Sequence, residues 1–119
     1  MSYEELNLAA RGLTPFDLAV VGAKLVNVNT REVYEADIGI CREKIAYVEE
    51  TGVEKINARE IIDAQGKFAI PGLIDSHLHI ESTYTPPATF AQAVLPFGTT
   101  TVAIDPHEIA NVLGKEGVR

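Results

Sequence analysis

A short apolar run that ends in two histidines constrains this chain more than any other feature of its sequence. Residues 71–82 read PGLIDSHLHIES, and Phe68, Ala69 and Ile70 just before them are also largely apolar. A strand that is apolar on both faces is typical of a parallel sheet covered on both sides. Functional sites of parallel α/β folds lie at the carboxyl ends of such strands, so the two histidines stand where such a fold carries its chemistry.

His77 and His79 are separated by one residue, which places both side chains on the same face of a strand, about 6.6 Å apart along it. Their imidazoles can therefore point at a common centre. Imidazole is a frequent ligand of zinc, iron and related metals, and a metal with few protein ligands keeps positions open for water. The pair predicts a metal site with hydrolytic chemistry, although a histidine on a strand is more often an ordinary hydrogen-bonded residue.

The sequence after the histidines predicts a helix and then a second strand. Thr85 is the predicted N-cap of this helix, with Pro86 and Pro87 in its first turn, and Gly98 follows its end. Residues 99–104 are β-branched and apolar, as expected for a strand. The strand–helix–strand order predicts that the two strands run parallel.

A second group of polar residues follows the second strand: Asp105, His107 and Glu108. Because parallel strands end on the same rim, we expect this group to lie close to the two histidines. Its members could orient a metal-bound imidazole, form an auxiliary metal site or contact a substrate. Alternatively, Asp105 only caps the next turn and the other two are merely polar. Glu81 shares the histidine face by its spacing, and either hydrogen-bonds a ligand or substrate or forms a loop salt bridge.

The residues before this unit predict a helix and a small β-domain. In residues 1–16, Ser2 and Glu5 have the spacing of a capping box at the start of a short helix. Residues 17–66 contain four or five short strand-like runs separated by turns, with a bend or bulge expected at Gly22. We expect these strands to be antiparallel and to form a β-sandwich with a structural role.

Composition excludes several classes of function. The chain is 46% hydrophobic with a net charge of −7, which fits a globular protein and argues against nucleic acid as a partner. Cys41 is the single cysteine, so an internal disulfide is excluded and a reducing compartment is expected. No apolar run approaches the roughly 20 residues of a membrane-spanning helix, and the acidic amino terminus does not resemble a signal peptide. We therefore expect a cytoplasmic protein that does not bind membranes.

Three segments carry a resemblance to a known family. The run PGLIDSHLH at residues 71–79 resembles the first barrel strand of the amidohydrolase superfamily. HLHIEST at residues 77–83, AVLPFGTTTV at 93–102 and DPHEIANVLG at 105–114 are similar to the adenine deaminase family within it. The resemblance implies a mixed β and α/β fold. In that fold a small β-sandwich precedes residues 67–119, the first βαβ portion of an incomplete (β/α)8 barrel.

The resemblance also implies an activity. Members of the adenine deaminase family hydrolyse adenine to hypoxanthine and ammonia with water activated by two divalent metal ions, manganese or iron. His77 and His79 would hold one of these ions. The other metal ligands and the general base are expected outside this chain, and the full-length enzyme is expected to be a homo-oligomer with adenine as its small-molecule substrate.

Length limits what this chain can do alone. A complete (β/α)8 barrel needs roughly 200 to 250 residues, whereas the chain has 119. We therefore expect an amino-terminal fragment that is inactive by itself and binds metal weakly. Two other interpretations stay open: a different cyclic amidohydrolase that acts on a dihydropyrimidine or a hydantoin, and a non-catalytic β-sandwich module that assembles with a partner chain.

Overall fold

The computed structural model of the chain describes residues 3–52 and 55–119, which form two compact units that divide after Pro71. Helix α1 spans Tyr3–Ala10. Gly12 follows with a φ of 69°, the left-handed conformation that suits a glycine after a helix. The predicted helix is therefore present. Its predicted capping box depends on Ser2, which lies outside the described residues.

The first unit contains one mixed five-stranded sheet. Its strands are β1 Phe16–Asn27, β2 Glu32–Cys41, β3 Lys44–Glu50, β4 Ala58–Asp63 and β5 Phe68–Ala69. They are ordered β3-β2-β1-β4, and β5 also pairs with β1. The β1–β2 and β2–β3 pairs are antiparallel, whereas β4 and β5 both run parallel to β1.

The prediction of an entirely antiparallel arrangement was wrong. β2 occupies one edge of β1, and the other edge offers unpaired N–H and C=O groups that β4 and β5 take up in parallel. A hairpin turn joins only antiparallel neighbours, so these parallel pairs need longer connections than the sequence pattern revealed. The five strands form a single sheet, and the second layer of the predicted sandwich is not among the described residues.

The predicted bulge at Gly22 is present. The pairing of β1 with β2 shifts register between Val20 and Ala23, and Gly22 has a φ of 70°. Its N–H donates to Oδ1 of Asp37 at 2.8 Å, and the Thr51 hydroxyl donates to the same oxygen at 3.0 Å. Asp37 is only 8% exposed, and these two bonds give one oxygen of the buried carboxylate its partners.

The core of the first unit consists mainly of small side chains around one aromatic ring. Phe16 is 4% exposed and packs against the backbone of Gly39, where a Cβ atom would lie 2.7 Å from the ring. The Tyr47 ring lies 5.7 Å from the Phe16 ring between centroids. The other buried apolar residues are Ala9, Ala19, Ala23, Ala36, Ile38 and Ala64.

The second unit has the predicted strand–helix–strand order. Its elements are β6 Leu73–Leu78, a 3₁₀ turn at Ile80–Thr83, α2 Pro87–Val94, a 3₁₀ turn at Leu95–Phe97, β7 Thr99–Ile104 and α3 His107–Leu113, with a last 3₁₀ turn at Gly114–Val118. β6 and β7 pair in parallel, as predicted. Their carboxyl ends therefore lie side by side, which brings the two polar groups of the sequence to one rim.

Two boundaries in this region differ from the predictions. Phe68 and Ala69 pair with β1 in the first unit instead of extending the histidine strand, because Pro71 lacks the N–H that would continue a ladder. The N-cap of α2 is Pro86, not Thr85. A residue that precedes a proline is disfavoured in helical conformation, and Pro86 is accordingly extended, with a ψ of 149°.

Helix α2 and strand β7 both line one apolar groove. Phe90, Ala91 and Val94 line this groove of about 260 Å³ together with Val102. Strand β6 is largely exposed in this unit, since Leu73 is 50% and Ile74 is 70% exposed. Among the residues that the structure describes, no helix is long and apolar enough to span a membrane.

Candidate metal centre

The two histidines converge as the strand period predicts. His77 is the penultimate residue of β6 and His79 follows its end. Their Nε2 atoms lie 3.0 Å apart. The two rings are nearly perpendicular, at 89°, with centroids 4.7 Å apart. The pair therefore presents two imidazole nitrogens to one point.

A hydrogen bond from the neighbouring strand fixes the orientation of His79. Its Nδ1 lies 3.2 Å from the carbonyl oxygen of Asp105. A carbonyl oxygen only accepts hydrogen bonds, so Nδ1 carries the proton and Nε2 keeps its lone pair. A metal-binding histidine usually donates its second ring N–H to a carboxylate, a backbone carbonyl or water, and here the partner is a backbone carbonyl. The Asp105 N–H in turn donates to the carbonyl oxygen of Leu78 at 2.9 Å, which ties the ends of β6 and β7 together.

The nitrogen separation fits a shared metal ion. Metal–imidazole bonds are about 2.0–2.1 Å long, so two nitrogens on one ion at ordinary coordination angles lie roughly 3.0–3.4 Å apart. The observed 3.0 Å between the Nε2 atoms of His77 and His79 falls in that range. Ligand atoms of these two histidines and of Asp105 all lie within 4.8 Å of one another. A set of two imidazoles and one carboxylate suits zinc, iron or manganese.

His107 lies beside this cluster and contacts two of its members. Its Nδ1 is 3.3 Å from Oδ2 of Asp105, and its ring centroid is 4.8 Å from that of His79. Both partners of the Asp105–His107 pair are about half exposed, so the pair contributes little to stability. It does restrict the orientation of the Asp105 carboxylate.

Glu81 and Glu108 connect the two strand ends. Oε1 of Glu81 accepts the N–H of Ile109 at 3.2 Å, and Oε1 of Glu108 accepts the Ser82 hydroxyl at 3.2 Å. Each bond joins the segment after β6 to the start of α3. The structure thus brings all six predicted site residues to one rim, with His77, His79 and Asp105 at the centre and Glu81 and Glu108 in bridging contacts.

Sequence reasoning missed three participants in these contacts. The carboxylate of Asp75 accepts the backbone N–H of His77 at 3.1 Å. Asp75 lies two residues before His77 and has the same strand parity, so the period-two pattern could have identified it. No sequence signal identifies the Ser82 hydroxyl or the Ile109 N–H, because their roles depend on loop conformation.

Comparison with protein families relates the residues that carry this site to a known family. Residues 68–119 match the sequence profile of the amidohydrolase family. This match agrees with the similarity to the amidohydrolase superfamily that the first-strand motif predicted.

Comparison with curated proteins narrows the relationship further. The adenine deaminase of Paracoccus denitrificans (strain Pd 1222) is 50% identical over 112 residues, which cover 92% of this chain and 19% of that protein. The chain spans about a fifth of the length of the curated relatives that it matches. The predicted similarity to adenine deaminases is therefore confirmed.

Two solved structures are similar in fold to most of this chain. An N-acyl-D-glutamate deacylase from Bordetella bronchiseptica, complexed with zinc and a phosphonate inhibitor, matches with a TM-score of 0.62 at 27% identity, over 76% of this chain and 19% of that one. The L-hydantoinase (dihydropyrimidinase) of Arthrobacter aurescens matches with a TM-score of 0.60 at 28% identity, over 76% of this chain and 21% of that one.

Proposed function

We propose that this chain is part of a metal-dependent enzyme that hydrolyses adenine to hypoxanthine and ammonia. The convergence of the His77 and His79 nitrogens at 3.0 Å, beside the Asp105 carboxylate, carries the proposal. The 50% identity to an adenine deaminase over most of the chain supports adenine as the substrate. We further propose that the full-length enzyme holds two ions, manganese or iron.

The bound metal would lower the pKa of a bound water molecule to about 7, so that hydroxide is available at neutral pH. His77 and His79 would hold one ion through Nε2. The His79–Asp105 hydrogen bond keeps the His79 ring in the required tautomer. The Asp105 carboxylate adds negative charge that offsets the charge of a cation. The general base and the remaining ligands are expected from segments outside residues 1–119.

The proposed domain organisation follows the same family. Residues 1–16 would form an amino-terminal helix, 17–66 part of a composite β-sandwich, and 67–119 the start of a (β/α)8 barrel. The parallel β6–β7 pair and helix α2 are consistent with the first elements of such a barrel. The expected cytoplasmic location, the homo-oligomeric state and the absence of a nucleic-acid partner stay predictions.

Glu81, His107 and Glu108 are proposed to support the site around the ion. His107 contacts Asp105 and the His79 ring, whereas the two glutamates brace the loops that carry these residues. Direct contacts of these side chains with substrate, or a second ion among them, are the alternatives to this supporting role.

A second candidate is a cyclic amidohydrolase that opens a dihydropyrimidine or hydantoin ring. The structural similarity to an L-hydantoinase favours it. The sequence DPHEIAN at residues 105–111, which is similar to the adenine deaminase family, argues against it. The non-catalytic assembly module differs from both candidates in requiring no metal.

The test is product formation by the intact gene product loaded with manganese or iron. We expect ammonia and hypoxanthine from adenine, no ring opening of hydantoin or dihydrouracil, and loss of deamination in His77→Ala. Hydantoin or dihydrouracil turnover without adenine turnover would move the assignment to the second candidate. A folded gene product that binds no metal would support the non-catalytic module.

A further inference from the structure

We infer that Glu81 is a positioning residue that holds the loop carrying Asp105 against His79. This inference rests on the proposed metal centre and deepens it, because it concerns the residue that maintains the positions of Asp105 and His79 in that centre. Glu81 lies in the 3₁₀ turn after β6, two residues beyond His79, and its role is exerted through a contact with the neighbouring strand end.

The contact joins two segments that are far apart in sequence. Oε1 of Glu81 accepts the N–H of Ile109 at 3.2 Å, across 28 residues. Ile109 lies in the first turn of α3, which follows directly on Asp105 and Pro106. Because Glu81 holds the Ile109 N–H, it also holds the first turn of α3 in place. The carbonyl and carboxylate of Asp105, just before that turn, are thereby held as well.

The loop that carries Asp105 reaches His79 directly. The Asp105 carbonyl is the hydrogen-bond partner of His79 Nδ1 at 3.2 Å, and its carboxylate lies in the cluster with both histidines. The chain of contacts thus runs from Glu81 to Ile109, along the backbone to Asp105, and back to His79. If this brace is lost, the loop can move and the His79 ring loses its orienting partner.

The two carboxylate oxygens of Glu81 differ, since Oε1 is the one that forms the bond to Ile109. Oε2 is buried and has no hydrogen-bond partner among the described residues. A brace through one oxygen requires a side chain of glutamate length with an acceptor atom at its end, but does not require the negative charge. Length and charge can therefore be separated by substitution.

The experiment compares Glu81→Gln with Glu81→Asp in the intact gene product. Glutamine keeps the length and an acceptor oxygen but removes the charge, whereas aspartate keeps the charge but is one methylene too short to reach Ile109. Glu81→Ala serves as a second variant whose side chain cannot reach Ile109, in case the aspartate variant does not fold. Cobalt(II) affinity is measured by visible absorption titration without any substrate, and circular dichroism checks the fold.

We expect Glu81→Gln to bind cobalt within about threefold of the unaltered protein. Glu81→Asp and Glu81→Ala should bind about 10- to 100-fold more weakly, the usual effect of losing a residue that orients a metal ligand. Glu116→Asp is the matched control. That carboxylate pairs with Arg119 on an exposed surface, and its variant should bind cobalt like the unaltered protein.

Two results would overturn the inference. Unchanged affinity in both Glu81→Asp and Glu81→Ala would show that the brace is not needed. A loss in Glu81→Gln as large as in Glu81→Ala would show that the charge matters, as for a direct ligand. Failure of adenine turnover with normal cobalt binding would reject the proposed substrate alone, whereas absence of cobalt binding in the unaltered protein would reject the metal centre and this inference together.

Discussion

At the scale of single residues, hydrogen bonds and one ion pair hold the residues of the candidate metal centre in place. Asp75 accepts the backbone N–H of His77, and the Asp105 carbonyl fixes the tautomer of His79. The carboxylate of Asp105 is oriented in turn by His107. The backbone carbonyl contact survives any substitution of the Asp105 side chain, so the carboxylate and the carbonyl can be tested separately.

Asp105→Ala should weaken metal binding without disturbing the His79 tautomer. The variant loses a carboxylate that lies within 4.8 Å of both histidine nitrogens, and we expect affinity to fall about 10- to 100-fold. His107→Ala should have a smaller effect, since the contacts of His107 are with Asp105 and the His79 ring. Cobalt(II) titration of both variants checks this order, and an equal or larger loss in His107→Ala would contradict it.

The sequence was sufficient to predict which residues meet at the site, but not how each one bonds. His77 and His79 converge because side chains alternate along a strand. Asp105 joins them because the ends of parallel strands share a rim. The bridging bonds of Glu81 and Glu108 depend on the 3₁₀ turn that follows β6. Tyr84 caps the end of this turn with a φ of 55°. A tyrosine gives no signal for that left-handed conformation.

At the scale of elements, the first unit depends on one close packing contact between strands. Phe16 at the start of β1 lies over Gly39 in β2, where a Cβ atom would come within 2.8 Å of three ring atoms. The ring is 4% exposed and has little room to move. Glycine at this position is therefore required by space and not by backbone conformation.

Gly39→Ala should destabilise the protein by about 1–3 kcal/mol, the usual cost of overpacking. In the Phe16→Leu background, the ring atoms that meet the new methyl group are gone, so the same substitution should cost at least about 1 kcal/mol less. Urea unfolding of the two single variants and the double variant measures this coupling. If the losses of unfolding free energy in Gly39→Ala and Phe16→Leu simply add in the double variant, the Phe16 ring is not the group that the new methyl group overlaps.

Strand direction was the least predictable property of these elements. Alternating residues such as Ala36, Ile38 and Ile40 indicate a strand, but they do not say which neighbour it pairs with or in which direction. β4 pairs with β1 in parallel, a long-range choice that no local pattern encodes. The parallel direction of β6 and β7 could be predicted because one helix connects the two strands, and strands joined in this way pair in parallel.

At the scale of the whole molecule, both units expose apolar surface. In the first unit Val33, Ile45 and Ile61 are 59%, 67% and 55% exposed, and in the second unit Ile74 and Phe97 are 70% and 83% exposed. Soluble proteins seldom leave large apolar patches uncovered. The chain also spans about a fifth of its curated relatives, so further segments of a longer protein are the natural cover for these surfaces.

The isolated 119-residue chain should therefore associate and should bind metal weakly. Exposed apolar side chains favour self-association, and the two predicted histidine ligands are too few for a tight metal site. Sedimentation velocity and equilibrium dialysis with manganese check the two parts, with the intact gene product as the control. A monomeric isolated chain that binds manganese as tightly as the intact protein would contradict this expectation.

The most direct test of the central claim is the number of metal ions bound per chain. The intact gene product and its His77→Ala variant would be loaded with manganese, dialysed and analysed by mass spectrometry of the metal. We predict two ions in the unaltered protein and at least one fewer in the variant, with circular dichroism showing that both are folded. Equal metal content in the two proteins would contradict the assignment of His77 and His79 as ligands.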